Sequence, residues 1–378
     1  MPLSSVEKLI PILDLGDYDT QIARGSTALN EGKLVVLPTE TVYGAAGVLT
    51  LAPARKRLLE LRGSTEPKPF VVHLARREEA LAFLGDVNDF ARRVMSKLWP
   101  GPVGLQFEVA PARRSEVALG LGLVETDLYE NGCITLRVPD HIVCTDVISG
   151  ATGPVAMTLA ASSDGRPVVK VADLDQDALT KFDLVYDAGP ARFNKPSTLL
   201  RLYNDRYEVV RGGVYDERII ERLLRTTVLF VCSGNTCRSP MAEALARHIL
   251  GEQLGVAPDE LERKGVSVIS AGSFALPGGR ATPQAVDAVK SMGGDLSRHR
   301  SRPLSVELIH QADVIYTMGR SHRSAVLSLV PGAMDKVSTL DPRGDIEDPI
   351  GGDQALYTSL AEELEKLIRT RFEERPVV

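Results

Sequence analysis

Cys232 and Arg238 close the two ends of a seven-residue turn in the run Val-Leu-Phe-Val-Cys-Ser-Gly-Asn-Thr-Cys-Arg-Ser-Pro, residues 228–240. The apolar first half reads as a buried strand, and Ser239-Pro240-Met241-Ala242-Glu243 reads as the opening of a helix. A turn between such elements points its backbone N–H groups inward, and the helix adds the positive end of its dipole. A phosphate held there lies against the cysteine sulfur and is gripped by a planar guanidinium that matches its oxygens. The same positive field stabilises a thiolate, so Cys232 reads as a nucleophile with a phosphate pressed against it. Gly234 allows the tight loop, while Asn235 tolerates left-handed backbone and can bond across the turn. Ser239 can donate to the sulfur, and Pro240 suits the first helical turn. A structural cysteine at a strand end needs none of these.

This run resembles the phosphate-binding loop of the low-molecular-weight protein tyrosine phosphatases. The resemblance continues through Ser270-Ala271-Gly272-Ser273, His299-Arg300-Ser301-Arg302, Ala312-Asp313-Val314-Ile315-Tyr316-Thr317-Met318 and Asp348-Pro349, covering about residues 226–375. It implies Cys232 as nucleophile, Arg238 as phosphate clamp and Asp348 as general acid. Ser233, Gly234, Asn235, Thr236, Cys237 and Ser239 would form the phosphate loop, with His299 supporting it. The thiolate would attack phosphorus while Asp348 protonates the leaving group, and Asp348 would then activate the water that hydrolyses the cysteinyl-phosphate. The implied partner is a phosphorylated protein, with neither metal nor cofactor for this step. Cys237 either packs the loop or serves as a resolving thiol for an oxidised Cys232. His310 and His322 read as surface residues of helices.

Phosphotyrosine-specific relatives carry an aliphatic residue at Thr236 and an aromatic after Asp-Pro, where this chain has Ile350. The hydroxyl at Thr236 and the missing aromatic wall favour phosphoarginine over phosphotyrosine. Arginine phosphatases of this fold resemble the chain at Gly-Asn-Thr-Cys-Arg-Ser-Pro-Met-Ala-Glu and at Gly351-Gly352. An ordinary tyrosine phosphatase and an arsenate reductase are the alternatives; the second is disfavoured because no cysteine follows Cys237 to relay a disulfide.

The first half carries a different signature. Leu37-Pro38-Thr39-Glu40-Thr41-Val42-Tyr43-Gly44 resembles the opening motif of the YrdC-like threonylcarbamoyl-AMP synthases. Lys68-Pro69-Phe70-Val71-Val72-His73, Trp99-Pro100-Gly101-Pro102, Leu136-Arg137-Val138-Pro139-Asp140-His141, Pro196-Ser197-Thr198 and Arg211-Gly212-Gly213 follow in the family's order. The resemblance implies condensation of threonine, bicarbonate and ATP, with Mg²⁺, for tRNA modification. It implies Thr39, Thr41, Tyr43, Arg62, Lys68, Arg137, Ser197 and Arg211 as nucleotide- or threonine-binding residues. The chain departs from the family where a Lys-x-Arg pair becomes Arg62 and Ser64, where Gly104 replaces a Thr, and where Ser-Ala-Asn-x-Ser-Gly becomes Ala160-Ala161-Ser162-Ser163-Asp164-Gly165. Lost orienting groups cost orders of magnitude in rate. Active synthase, and nucleotide- or RNA-binding domain without efficient synthesis, both stay open.

The elements that must position these residues fall into two styles meeting near residue 225. Strands at Val228–Val231, Val266–Ile269, Asp313–Tyr316 and Val337–Leu340 alternate with helices, the last at Leu356–Phe372. That pattern predicts an α/β domain with a parallel sheet. Earlier strands are expected at Leu34–Leu37, Phe70–Leu74, Val103–Val109, Ile134–Val138, Val155–Leu159, Leu184–Tyr186, Leu199–Leu202 and Tyr207–Val210. With helices at Thr20–Asn30, Ala52–Leu61 and Val87–Leu98, they predict an α+β domain on a twisted mixed sheet. The expected division is 1–223 and 224–378, joined by a charged helical junction. A length of 378 residues suits two domains, and 44% apolar residues fill two cores. A net charge of −6 without long runs argues against tight nucleic-acid binding. Four scattered cysteines make no disulfide framework, and Cys133 and Cys144 read as buried apolar residues. No stretch reads as a signal peptide or bilayer span, so a cytoplasmic protein without membrane contact is expected.

Overall fold

The computed structural model describes residues 8–12, 17–63, 69–375 and 377. The chain divides into two compact units, Met1–Ile220 and Glu221–Val378.

The first unit is built on one mixed sheet. Its strands are β1 (Leu9–Pro11), β2 (Val35–Leu37), β3 (Gly44–Val48), β4 (Val71–His73), β5 (Val103–Glu108), β6 (Tyr129–Glu130), β7 (Cys133–Arg137), β8 (Val155–Leu159), β9 (Leu184–Asp187), β10 (Thr198–Leu202) and β11 (Tyr207–Arg211). They lie in the order β1-β9-β2-β3-β8-β4-β7-β5-β10-β11, with β6 paired to β7. The pairings mix directions: β1, β2 and β9 run parallel, whereas β3 is antiparallel to both β2 and β8. Helix α1 (Tyr18–Asn30) buries Leu29 with Ile10, Leu37, Val48 and Tyr186 in one core cluster.

The Gly-Ala-Ala-Gly-Val strand β3 has low strand propensity, and the sequence reading passes over it. Packing explains its composition. A Cβ at Gly47 would stand 2.9 Å from Leu34 and 3.2 Å from Ala54 and Leu58, so small residues let α2 (Ala52–Arg62) lie directly on the strand, and α3 (Asp89–Leu98) follows further along the chain.

The second unit has four strands, β12 (Thr226–Cys232), β13 (Val266–Gly272), β14 (Val314–Thr317) and β15 (Val337–Thr339), in the order β13-β12-β14-β15. Every pairing is parallel. Strand β12 alternates between two buried faces. Val228, Phe230 and Cys232 join the cluster formed with α4 (Arg238–Leu254) and α8 (Gln354–Glu374), while Leu229 and Val231 join one containing Ile309 and Val326. Those last two lie on α6 (Val306–Gln311) and α7 (Arg320–Leu329), and α5 (Pro283–Lys290) adds Ala285 and Val289 to the first cluster. This doubly covered sheet has its reversal of strand order beside β12, where open α/β sheets leave a crevice at the carboxyl ends of the strands. Cys232 ends that strand. Among the described residues no helix is long and apolar enough to cross a membrane.

Candidate active site

The backbone between β12 and α4 turns tightly around the Cys232 sulfur. Asn235 N–H donates to Sγ at 3.2 Å, and Ser239 Oγ lies 3.0 Å from it. The left-handed residue of this turn is Asn235, with φ 54°; Gly234 is exposed, outside the left-handed region, and leaves the mouth of the loop uncrowded. The close approach of the neighbouring chain is carried instead by Gly272. A Cβ there would meet Ser233 O at 2.4 Å and Asn235 N at 2.9 Å, which accounts for glycine in Ser-Ala-Gly-Ser.

Asn235 is fully buried and every polar group of it is used. Its Nδ2 donates to Ser239 Oγ at 2.9 Å and to Ser270 Oγ at 2.8 Å, while Ser270 Oγ donates to Glu243 at 2.6 Å. Its Oδ1 accepts from Arg302 N at 2.9 Å, and His299 Nε2 bonds its carbonyl at 2.8 Å. Ser239 accepts from Asn235 and has its own proton for the sulfur at 3.0 Å or the more distant Ala271 O at 3.4 Å, so donation runs outward from Asn235, through Ser270 to Glu243 on one side and through Ser239 toward Cys232 on the other. Hydrogen bonds to a charged acceptor contribute roughly 1.5–3 kcal/mol each.

Helix α4 has no side-chain N-cap, unlike α5, α6 and α8, which are capped by Thr282, Ser305 and Asp353. Its leading N–H groups therefore face the turn without a side-chain acceptor, the arrangement that binds anions. Arg238 opens that helix and is buried. It donates Nη1–H to Ile346 O at 3.0 Å and Nη2–H to the half-exposed Asp348, and its buried Nε has no partner among the described residues. Asp348 is thus placed beside the clamp, 110 residues along the chain.

Cys237 is buried, with Sγ 3.4 Å from Tyr357 OH and 3.6 Å from Thr282 Oγ1, and all four cysteines are free thiols. Thr236 is half-buried, and its carbonyl accepts from Thr282 N. Two neighbours escaped the sequence reading. His322, expected on a surface, is buried, and its Nε2 bonds Ser233 Oγ at 2.8 Å; burial and then the Arg238 charge push its pKa down. Phe274 is 86% exposed while its N–H donates to Ser233 O, so an aromatic ring stands at the rim although Ile350 follows Asp348-Pro349.

In the first unit Thr39 and Thr41 hydroxyls lie 2.8 Å apart, and Arg137 donates to Thr41 at 3.0 Å and to Glu40 at 2.8 Å. Asp140 N–H takes the second oxygen of Glu40. Burial and then Arg137 lower the pKa of Arg211, which donates to Ser197 O and Oγ. Gly213 lets that segment run tight against Ser197, since a Cβ would sit 2.5 Å from it. The buried Arg137 Nε and His141 Nδ1 have no partner among the described residues. This side of the sheet collects Thr39, Thr41, Arg137, Ser197 and Arg211, together with Glu40, His73 and His141, which sequence reasoning quoted without selecting.

Tyr43 does not join them. Its ring is fully buried, and its hydroxyl donates to Gly189 O and accepts from Ala188 N. Arg62 stacks 4.0 Å over Phe70 and donates to Pro69 O. Ser64 and Lys68 lie outside the described residues. Ser162 donates to Asp164, which pairs with Arg166 at 2.7 Å, so the 162–166 loop satisfies itself. Both oxygens of Glu40 are committed, and among the described residues no group of three His, Cys, Asp or Glu side chains is placed to hold a metal ion. Cys133 and Cys144 are buried, and burial raises both thiol pKa values.

A crevice at a sheet's switch point, with a cysteine under an uncapped helix and a buried arginine beside it, defines a phosphate-handling α/β unit. Residues 227–374 match the family described as low molecular weight phosphotyrosine protein phosphatase, and residues 27–213 match the YrdC-containing family described as telomere recombination. The chain belongs to the low-molecular-weight phosphatase family through its second unit and carries a YrdC-like domain in its first. It is 42% identical over 147 residues to a protein-arginine-phosphatase of Bacillus subtilis, covering 38% of this chain and 91% of that one. It is 40% identical over 125 residues to a probable low-molecular-weight protein-tyrosine-phosphatase of Ralstonia solanacearum, covering 32% and 77%. Its first unit is 29% identical over 208 residues to a threonylcarbamoyl-AMP synthase of Bacillus subtilis, covering 54% of this chain and only 57% of that protein.

Proposed function

We propose that the second unit is a protein phosphatase working through a cysteinyl-phosphate and preferring phosphoarginine to phosphotyrosine. The observation that carries this reading is the setting of the Cys232 sulfur, which has Asn235 N–H and Ser239 Oγ at 3.2 and 3.0 Å beneath the uncapped start of α4. Phosphate oxygens would take the loop and helix N–H groups and the spare Nε–H of Arg238. Cys232 attacks phosphorus, the P–N or P–O bond breaks, and Asp348 protonates the departing nitrogen or oxygen. Asp348 then takes a proton from water, which attacks the cysteinyl-phosphate, and the thiolate leaves into the hydrogen bonds of Asn235 and Ser239. Those bonds stabilise the thiolate as it leaves, so they help the second step more than the first.

Thr236, Gly351-Gly352 and the likeness to an arginine phosphatase support phosphoarginine. A site that bonds a polar substrate group discriminates far more strongly than one aliphatic contact, worth about 1–3 kcal/mol. Peptides bearing phosphoarginine, phosphotyrosine or phosphoserine, hydrolysed side by side by the full chain, test this. Fast phosphotyrosine turnover with phosphoarginine ignored would leave an ordinary tyrosine phosphatase. A cytoplasmic setting belongs to the same reading, given four free thiols.

For the first unit we infer binding of an ATP-like anion at Arg137 and Arg211 without efficient synthesis of threonylcarbamoyl-AMP. Ala160 and the self-satisfied Ser162 loop support it, as does the buried, unpartnered Nε of Arg137. The same guanidinium groups would suit an RNA phosphate. Pyrophosphate release from ATP, threonine and bicarbonate is the test, and robust product would restore a working synthase.

A further inference from the structure

Residues 293–302 run beside α4 and the turn at Pro258-Asp259, enclosing a cavity of about 560 Å³ that no residue from 232 to 238 lines. Four arginines line it, Arg247, Arg298, Arg300 and Arg302, together with Glu243, Asp259 and Asp295. Each acid already has a partner inside the protein. Glu243 takes the Ser270 hydroxyl, Asp259 pairs with Arg247 at 3.0 Å, and Asp295 accepts from Ser297 N at 2.8 Å. Arg300 spends one N–H on His299 O, whereas the guanidinium groups of Arg298 and Arg302 make no hydrogen bond or ion pair among the described residues. The three acids keep their charges, and Asp295 also feels Arg298, but four guanidinium groups outnumber them and Arg298 and Arg302 have donors to offer; such a lining suits an oxyanion, and phosphate matches the guanidinium fork best. The volume exceeds the needs of a single phosphate several-fold.

We propose that this cavity is a second anion site, taking a compound with two or more linked phosphate groups, and that its occupancy is felt at Cys232. The coupling route is short. His299 and Arg302 hold the carbonyl and side-chain oxygen of Asn235, and Glu243 reaches its Nδ2 through Ser270. Asn235 N–H in turn bonds the Cys232 sulfur. An anion that draws the 298–302 segment toward the cavity moves the groups that position Asn235.

Inorganic pyrophosphate is the first probe. The full chain is carboxymethylated at Cys232 with iodoacetate, which fills the cradle, and titrated by calorimetry. Beyond any anion taken by Arg137 and Arg211 of the first unit, one equivalent should bind, and Arg298→Ala with Arg302→Ala should weaken that equivalent at least tenfold. ATP is run in parallel, counting only the binding that the double variant loses, because the first unit is itself proposed to take an ATP-like anion: equal affinity means that the phosphate chain alone is read, tighter binding that the nucleoside is read too. A carboxymethylated chain that binds no pyrophosphate, or whose binding survives the double substitution, would overturn the site. Coupling is read from an aryl phosphate. Pyrophosphate in the cradle raises KM only, whereas pyrophosphate in the cavity should change kcat about fivefold in the wild type and not in the double variant. An identical rise in KM with constant kcat in both proteins overturns the coupling.

Discussion

Arg238 donates to Asp348, so the guanidinium proposed to clamp phosphate is bonded to the carboxylate proposed to protonate the leaving group. The pair is unequal in exposure, 8% for the arginine side chain and 42% for the aspartate. Under the proposed mechanism an arriving phosphate would take the Nε–H of Arg238 and compete with Asp348 for the neighbouring Nη2–H, so binding would free the carboxylate to act as the acid.

Asp348→Asn should lower kcat by about 10²–10⁴, the range of general-acid effects, and most for poor leaving groups. Its neighbours should matter far less: Glu347 is exposed, and Asp345 is occupied by Arg320 N at 2.9 Å. Steady-state rates across a series of aryl phosphates check this. Equal losses in Asp348→Asn, Glu347→Gln and Asp345→Asn would deprive Asp348 of its assigned role.

Cys232→Ser should abolish turnover while phosphate still binds, because the N–H groups and Arg238 remain. Ser239→Ala should cost about 10²-fold, the typical loss of one donor to a developing charge, and should slow breakdown of the cysteinyl-phosphate more than its formation. Rapid-quench detection of phosphoenzyme separates the steps. Wild-type turnover by Cys232→Ser would refute the nucleophile.

Thr236→Ile should shift the ratio of phosphoarginine to phosphotyrosine hydrolysis toward phosphotyrosine. The relevant measurement is kcat/KM for both substrates under competition. An unchanged ratio would mean that the hydroxyl plays no part in the choice, leaving the exposed Phe274 ring as the next residue to vary.

His73 is deeply buried and its pKa is pushed down to about 3, by burial first and the Arg137 charge second. The unfolded chain then takes up a proton that the folded one refuses, so this contribution to stability is intact above pH 6.5 and is lost as pH falls toward 3. By pH 5 the loss should be on the order of 1–2 kcal/mol. Trp99 is the chain's one tryptophan and is buried in the first unit, so its fluorescence reports that unit during urea unfolding. His73→Phe should lose less stability between pH 7.5 and 5 than the wild type; equal losses would place the acid sensitivity elsewhere.

What was legible in the sequence was what is local. β12, the turn and the start of α4 are contiguous, so alternation, turn chemistry and helix signals all apply to one short run. His322 was not legible, because its burial depends on Ser233, 89 positions away, and a histidine near the start of a helix carries no mark of that. Strand β3 was hidden by its small residues, whose purpose is visible only once α2 lies on them. Tyr43 lies in a motif that points to a ligand, yet its hydroxyl is consumed by the backbone at residues 188 and 189. Motif membership and contact with a ligand are separate properties.

The Arg238–Asp348 span of 110 residues also orders events in time. During synthesis the nucleophile and clamp emerge together, but the acid and the helix that covers Cys237 emerge after three further strands. A ribosome-bound chain halted before β15 would present a reactive cysteine with no acid, whereas the first unit's sheet is complete at Arg211. Phosphatase activity in a nascent chain is therefore a late signal, and its first appearance times the closure of the second unit.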